Sequence, residues 1–265
     1  MIPQDYFPFK NSEVFFSKKN IKKLGRIKGE VTIVSTVCPD YANSGTTYTF
    51  EGMLGNGIGL VASKHLYFSK KFIEELKNMG VEPNHLVLTA DLPELVDSQK
   101  EFYISAAGSK EGYLEKCQES SEKIQEEGGD RFKSETFSLF YGKRNIDYLK
   151  LQIEASERIL KLAKEDARFN YSFQSFVRER KALAEKFRGR RLSLEELEIA
   201  GAHGMSLYAT HGTLLKKIFE NKNIIVLNHS TPNLKNFFAC ELVPGFENLK
   251  SQQNFPIGVI PGEFY

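Results

Sequence analysis

Side chains able to do covalent or proton chemistry fall at a few telling places in this sequence. Ser35 and Thr36 stand in VTIVSTV (31–37), a β-branched run that reads as a buried strand. Either hydroxyl can act as a nucleophile if a base lies within hydrogen-bond reach. Cys38 and Asp40 follow directly, beyond a strand's carboxyl end, where open parallel sheets bind ligands. A reactive thiolate needs a base or a positive field. None adjoins Cys38 in sequence, so a small buried hydrophobe is its plainer reading. Asn228 and His229 follow the strand-like NIIVL and hold the same kind of position, though Ser, Thr, Pro and Asn next to them also suit an ordinary turn.

A helix beginning after Ser193 carries His203, Tyr208 and His211. Tyr208 and His211 are three apart and His203 lies within about 80° of His211, so all three can face one cleft. Imidazole and phenol groups there can move protons or donate to a developing charge. The spacing is not HExxH, and zinc is a weak reading. The GMLGNGIG stretch, with Gly52, Gly55, Gly57 and Gly59, lets backbone N–H groups approach a phosphate or carboxylate. It matches neither the dinucleotide fingerprint nor the Walker pattern, and a tight helix entry explains it as well. Asp91, after the second strand, is a candidate ribose-binding acid. Ser35, Tyr208, His211 and His229 are the catalytic candidates. Thr36, Cys38, Asp40, Gly55, Gly57, Asp91 and Asn228 are the substrate-binding ones. No metal or resident cofactor is expected.

These residues need a scaffold. Strands are predicted at 31–37, 85–89, 102–107, 223–228 and 255–261, and a helix at 60–79 ended by Gly80. Strand, helix, strand in so short a span makes a βαβ unit and a parallel sheet. Residues 111–130 hold seven acids and read as a solvated helix face. Residues 143–188 lack Gly and Pro and read as one or two long helices. Ser193 with Glu196 has the spacing of a capping box. The expected organisation is a single α/β domain over 1–265. It comprises an arm (1–28), a βαβ core (29–108), a helical region (109–192), and a helix with closing strands (193–265).

Composition narrows the classes further. Hydrophobic residues are 41%, charged residues 26% and the net charge +2, which excludes a disordered chain and any global attraction to nucleic acid or membrane. Three separated cysteines, Cys38, Cys117 and Cys240, argue against a disulfide scaffold and for a reducing, cytoplasmic setting. No apolar run is long enough to span a bilayer. Two basic runs remain, 18–28 and 178–191. Each reads as a solvated face or as a local phosphate-binding surface.

Several segments in this order resemble the tRNA-dependent cyclodipeptide synthases: IVSTV, LVLTADLPELVDS, KEDARFNYSFQSFVRER, SLYATHG, NHSTPNLKNFF and FPIGVIP. The resemblance runs from about residue 29 to 262. It implies a Rossmann-like three-layer α/β fold with a mainly parallel sheet, similar to the catalytic domain of class I aminoacyl-tRNA synthetases. It further implies Ser35 as the acylated residue, with Thr36 second, and a family tyrosine at Tyr208. The family's glutamate place holds Gly212, and the tyrosine of its later pair holds Asn228. His211 or His229 is then the expected proton shuttle. The family's basic tRNA-binding helix falls on the acidic 111–130 stretch, leaving 18–28 and 178–191 as the surfaces for tRNA. The expected activity is transfer of an aminoacyl group from aminoacyl-tRNA through a Ser-centred pocket. An S-adenosylmethionine-dependent methyltransferase, suggested by LGNGIG, and a non-catalytic small-molecule binder stay open. So does a distant likeness to isonitrile synthases through TFEGMLGNGIGLVASKHL.

Overall fold

The β-branched run around Val34 forms the middle one of the five parallel strands in a seven-stranded sheet. The computed structural model describes residues 5–10, 12–37, 42–44, 47–49, 60–91, 109–188, 191–229, 239–249 and 255–260. In chain order the strands are β1 (Tyr6–Pro8), β2 (Phe15–Ser17), β3 (Gly29–Val37), β4 (Ala42–Ser44), β5 (Thr47–Thr49), β6 (Val81–Thr89), β7 (Phe132–Thr136), β8 (Ile224–His229) and β9 (Ile257–Ile260). The helices described are α1 (Lys18–Leu24), α2 (Leu60–Asn78), α3 (Lys110–Gly128), α4 (Phe137–Gly142), α5 (Tyr148–Glu165), α6 (Ala167–Arg188) and α7 (Leu194–Ile218). A short 3-10 turn spans Cys240–Leu242.

Sheet order is β1-β2-β9-β8-β3-β6-β7, with β4 and β5 paired separately. The strands β9, β8, β3, β6 and β7 run parallel, while β1 and β2 add antiparallel at the β9 edge. The N-terminal arm is thus part of the sheet. From β3 the chain steps outward to β6 and β7, then returns to β8 on the other side of β3. The gap between the carboxyl ends of β3 and β8 is a topological switch point, the usual crevice for a ligand.

Side-chain alternation sorts the sheet into two cores. Val31, Ile33, Val37, Val87 and Leu227 pack under α1, α2 and α3, against Leu24, Phe72, Leu76 and Ile124. Val34, Leu86, Leu88 and Val226 pack under α4, α5 and α7, against Phe140, Tyr148 and Leu214. A third cluster joins α5, α6 and α7. This is the expected three-layer α/β fold with its long helical segment.

Local signals explain most boundaries. Gly80, at φ 75°, ends α2. Ser193 and Glu196 form the capping box of α7. All seven acids of 111–130 are exposed, while Tyr113, Cys117 and Ile124 face inward. Two differences stand out. The second strand begins at Val81, not His85, and contains Pro83. Pairing with β7 starts only at His85, so on that side Pro83 lies at an open edge, where a missing N–H costs little. Phe132–Thr136, unpredicted, supplies β7, whereas the expected strand at 102–107 lies outside the described residues.

Phe72 is fully buried and contacts the rings of Phe9 and Phe16 at 5.6 and 5.5 Å. It ties α2 to the N-terminal strands. Phe72→Ala is expected to lower stability by about 3–5 kcal/mol in urea unfolding. A loss below about 1 kcal/mol would mean that this contact does not hold the edge.

Candidate functional site

Adjacent residues of β3 point to opposite faces, and that decides which hydroxyl meets which base. Ser35 faces the α2–α3 side. It is wholly buried, with Oγ 2.6 Å from Nε2 of His85. His85 sits on β6 opposite Ile33, and its ring lies 4.6 Å from that of Phe132. Thr36 faces the α7 side and is half-buried, with Oγ1 2.7 Å from Nε2 of His211. His211 then meets Tyr141, with Nδ1 2.6 Å from the phenol oxygen.

Each member of the second chain is held from behind. Tyr141 belongs to α4, which starts where β7 ends. Thr136 caps that helix by accepting from the Leu139 N–H at 3.3 Å. The Asp91 carboxylate, just past β6, accepts from the Ser138 N–H at 2.9 Å. Phe137 stacks on the imidazole at 4.7 Å and 17°. Tyr148 of α5 stacks on Tyr141 at 4.7 Å, and its hydroxyl donates to the Leu207 carbonyl at 3.1 Å. Strand β3 and three helices therefore meet at one buried imidazole.

Burial sets the protonation states. Desolvation pushes both His85 and His211 down to about 3. It pushes the phenols of Tyr141 and Tyr148 well above their ordinary value of 10. The His211 ring is neutral at ordinary pH and carries one N–H. Either Thr36 donates to Nε2 and Nδ1–H donates to Tyr141, or Tyr141 donates to Nδ1 and Nε2–H donates to Thr36. The first arrangement matches a nucleophile, base and orienting group in series.

The other expected site residues are distributed as follows. The expected pairing of Ser35 with His211 is not formed, because the sheet lies between them and Ser35 already meets His85. Tyr208 is half-buried, with its ring 6.2 Å from Phe176, on the α6 side of α7. Asn228 is buried. It lies beside Thr36, since the β3–β8 register pairs Ser35 with Leu227. His229 pairs with Ile260 through its backbone, and its side chain lies outside the description. Asp91 is buried, and one of its carboxylate oxygens holds α4 through the Ser138 N–H. Cys38, Asp40, Gly55 and Gly57 lie outside the described residues, and with them the loop behind the methyltransferase reading.

Sequence reasoning missed Tyr141, Phe137 and His85. Only the aromatic cluster Phe137, Phe140, Tyr141 directly after a short strand hinted at the first two. Among the described residues no group of three or more His, Cys, Asp or Glu could hold a metal ion. Cys117 and Cys240 are buried and form no disulfide among the described residues. No described helix is long and apolar enough to cross a membrane.

No protein-family model matches the chain, and no curated protein does. Among solved structures the chain is similar to the cyclodipeptide synthase (CDPS) from Staphylococcus haemolyticus. Identity is 15%, with 93% of this chain and 97% of that chain covered and a TM-score of 0.47.

The two depressed histidines make stability depend on pH. Their folded values lie below the ordinary 6.5, so the unfolded chain binds more protons, and stability falls as pH drops through 6.5 toward 3. At pH 5 each should cost about 2 kcal/mol relative to pH 8. Urea unfolding at both pH values should show a fall of about 4 kcal/mol for wild type, and about half that for His85→Gln or His211→Gln. Equal falls in all three proteins would mean that neither ring is buried in its neutral form.

Proposed function

We propose that this protein is an acyl-transfer enzyme of cyclodipeptide-synthase-like kind, taking an aminoacyl group from aminoacyl-tRNA onto a side-chain hydroxyl at the tip of β3. The carrying observation is the series Thr36, His211, Tyr141 at the carboxyl edge of the sheet. Thr36 is the better-placed hydroxyl, being half-buried with its base at 2.7 Å. Ser35, wholly buried, is the neighbouring alternative, and Cys38 the thiol competitor.

In this reading Thr36 Oγ attacks the ester carbonyl carbon and its proton passes to His211 Nε2. Nδ1–H donates to Tyr141, which fixes the tautomer. The bond from the carbonyl carbon to the tRNA ribose oxygen then breaks, and that oxygen takes the proton from His211. An imidazole held at about 3 is a weak base at rest. The oxyanion forming beside it supplies the opposite charge that favours its protonated form.

Incubation with radiolabelled aminoacyl-tRNA, followed by mass mapping, tests this. Label is expected on Thr36 and absent in Thr36→Val. His211→Gln should slow labelling by at least about 10²-fold. Label on Ser35 or Cys38 moves the nucleophile. No label with any charged tRNA favours the second reading, a non-catalytic small-molecule binder. The depressed imidazole and the glycine at position 212 speak for that one.

If tRNA is the donor, basic surface must hold it. Lys18, Lys19, Lys22, Arg26 and Lys28 are exposed around α1. Of the other run, Arg178, Lys181 and Arg191 are exposed. Arg180 instead turns toward α7, where its guanidinium covers Gly204. Filter binding should weaken steeply, by about 10³-fold or more, from ~50 to ~200 mM salt. It should also drop when Lys18, Lys22 and Arg26 become Glu. Binding indifferent to both would remove tRNA from this reading.

A further inference from the structure

Among the described residues, Asn228 carries an unmet side-chain donor at the switch point. It is 5% exposed, and its Nδ2 is buried with no hydrogen-bond partner among the described residues. Alternation along β8 fixes its direction. Leu227 enters the α1–α3 core and Val226 the opposite one, so Asn228 faces the α7 side together with Thr36. The register makes the two residues neighbours on adjacent parallel strands, about 5 Å apart. Thr36, His211 and Tyr141 satisfy one another; the amide beside them does not. A buried N–H without an acceptor is costly, and native structures keep such groups where a ligand or a reaction uses them.

We infer that the Asn228 side-chain amide is the donor this site presents to a ligand's carbonyl oxygen. The inference rests on the acyl-transfer reading for its chemistry and names the group that the substrate must carry next to the attacked carbon. With Thr36 as nucleophile on one strand and Asn228 as donor on the next, the carbonyl carbon meets the hydroxyl while its oxygen meets the amide. The bond to Nδ2 strengthens as that oxygen becomes negative, which is how a preorganised donor lowers a barrier. Leucine would fill the same place at less cost to folding, so the amide stands there at the expense of stability.

Three measurements test this. First, Asn228→Leu should raise the melting temperature by about 2–4 °C, as expected when an unmet buried donor is removed. A fall would show that the amide has a structural partner and overturns the inference. Second, nitrogen-15 NMR of the Asn228 side chain is followed while leucinamide and phenylalaninamide, and then the matching amino alcohols leucinol and phenylalaninol, are added. The inference expects the resonance to move with the amides and not with the alcohols. A resonance that answers both alike, or ignores the amides, overturns it. Third, labelling from aminoacyl-tRNA should slow by about 10²–10³-fold in Asn228→Asp and Asn228→Leu. Wild-type labelling rates in these variants overturn the inference and leave acyl transfer standing. An amide-selective shift with no labelling in wild type sinks acyl transfer and leaves the carbonyl donor standing.

Discussion

One contact organises this molecule: a hydroxyl on β3 against an imidazole in the middle of α7, 2.7 Å apart. Buried polar groups must be paired, and each partner needs a partner of its own. His211 therefore calls for Tyr141, whose ring stacks on Tyr148, whose hydroxyl in turn donates to the backbone of α7. The circuit closes on the helix where it began. The short α4 would be a poor helix alone. It stands because Thr136 and Asp91 take up N–H groups of its first turn and because Tyr141 has a fixed destination. Moving any one of these pieces leaves a polar atom stranded in an apolar core.

The elements were legible where hydrophobic runs were strong. VTIVSTV, NIIVL and the capped helix after Ser193 announced themselves through β-branched runs and cap residues. Pro83 hid the start of β6, because a proline argues against a central strand unless one flank is known to be open. FKSET hid β7, because Lys133 and Glu135 mask the inward Phe132 and Ser134. At the site, residue types could be read and pairings could not. Thr36 and His211 are 175 positions apart and Ser35 and His85 are 50. Which hydroxyl meets which ring depends on register, and one step along a strand exchanges the faces.

The composition of α7 follows from where it lies. It packs on α5, α6 and the sheet at once, so it has little solvent-facing surface for much of its length. Gly201 meets Val177 at 3.0 Å from where a Cβ would be, and Gly204 meets Arg180 at 2.7 Å. These glycines let two helices approach more closely than larger residues would permit. The same closeness turns Arg180 toward α7 while its neighbours Arg178 and Lys181 stay exposed. Charge pattern alone made the 178–191 run look uniform; packing divides it.

The antiparallel edge has a consequence for how the chain is made. The Asn20 side chain donates to the carbonyl of Ile257, 237 positions later, and β2 pairs with β9. On the ribosome, β3 emerges early with one flank ready for β6. Its other flank stays open until β8 arrives, and β2 waits longer still for β9. Until then the nascent chain carries an exposed apolar strand edge, the kind of surface that recruits other strands. Folding of such a sheet is slow, because distant segments must meet before they reward one another. The interval between the synthesis of β3 and that of β8 is the time when this edge is open to wrong partners.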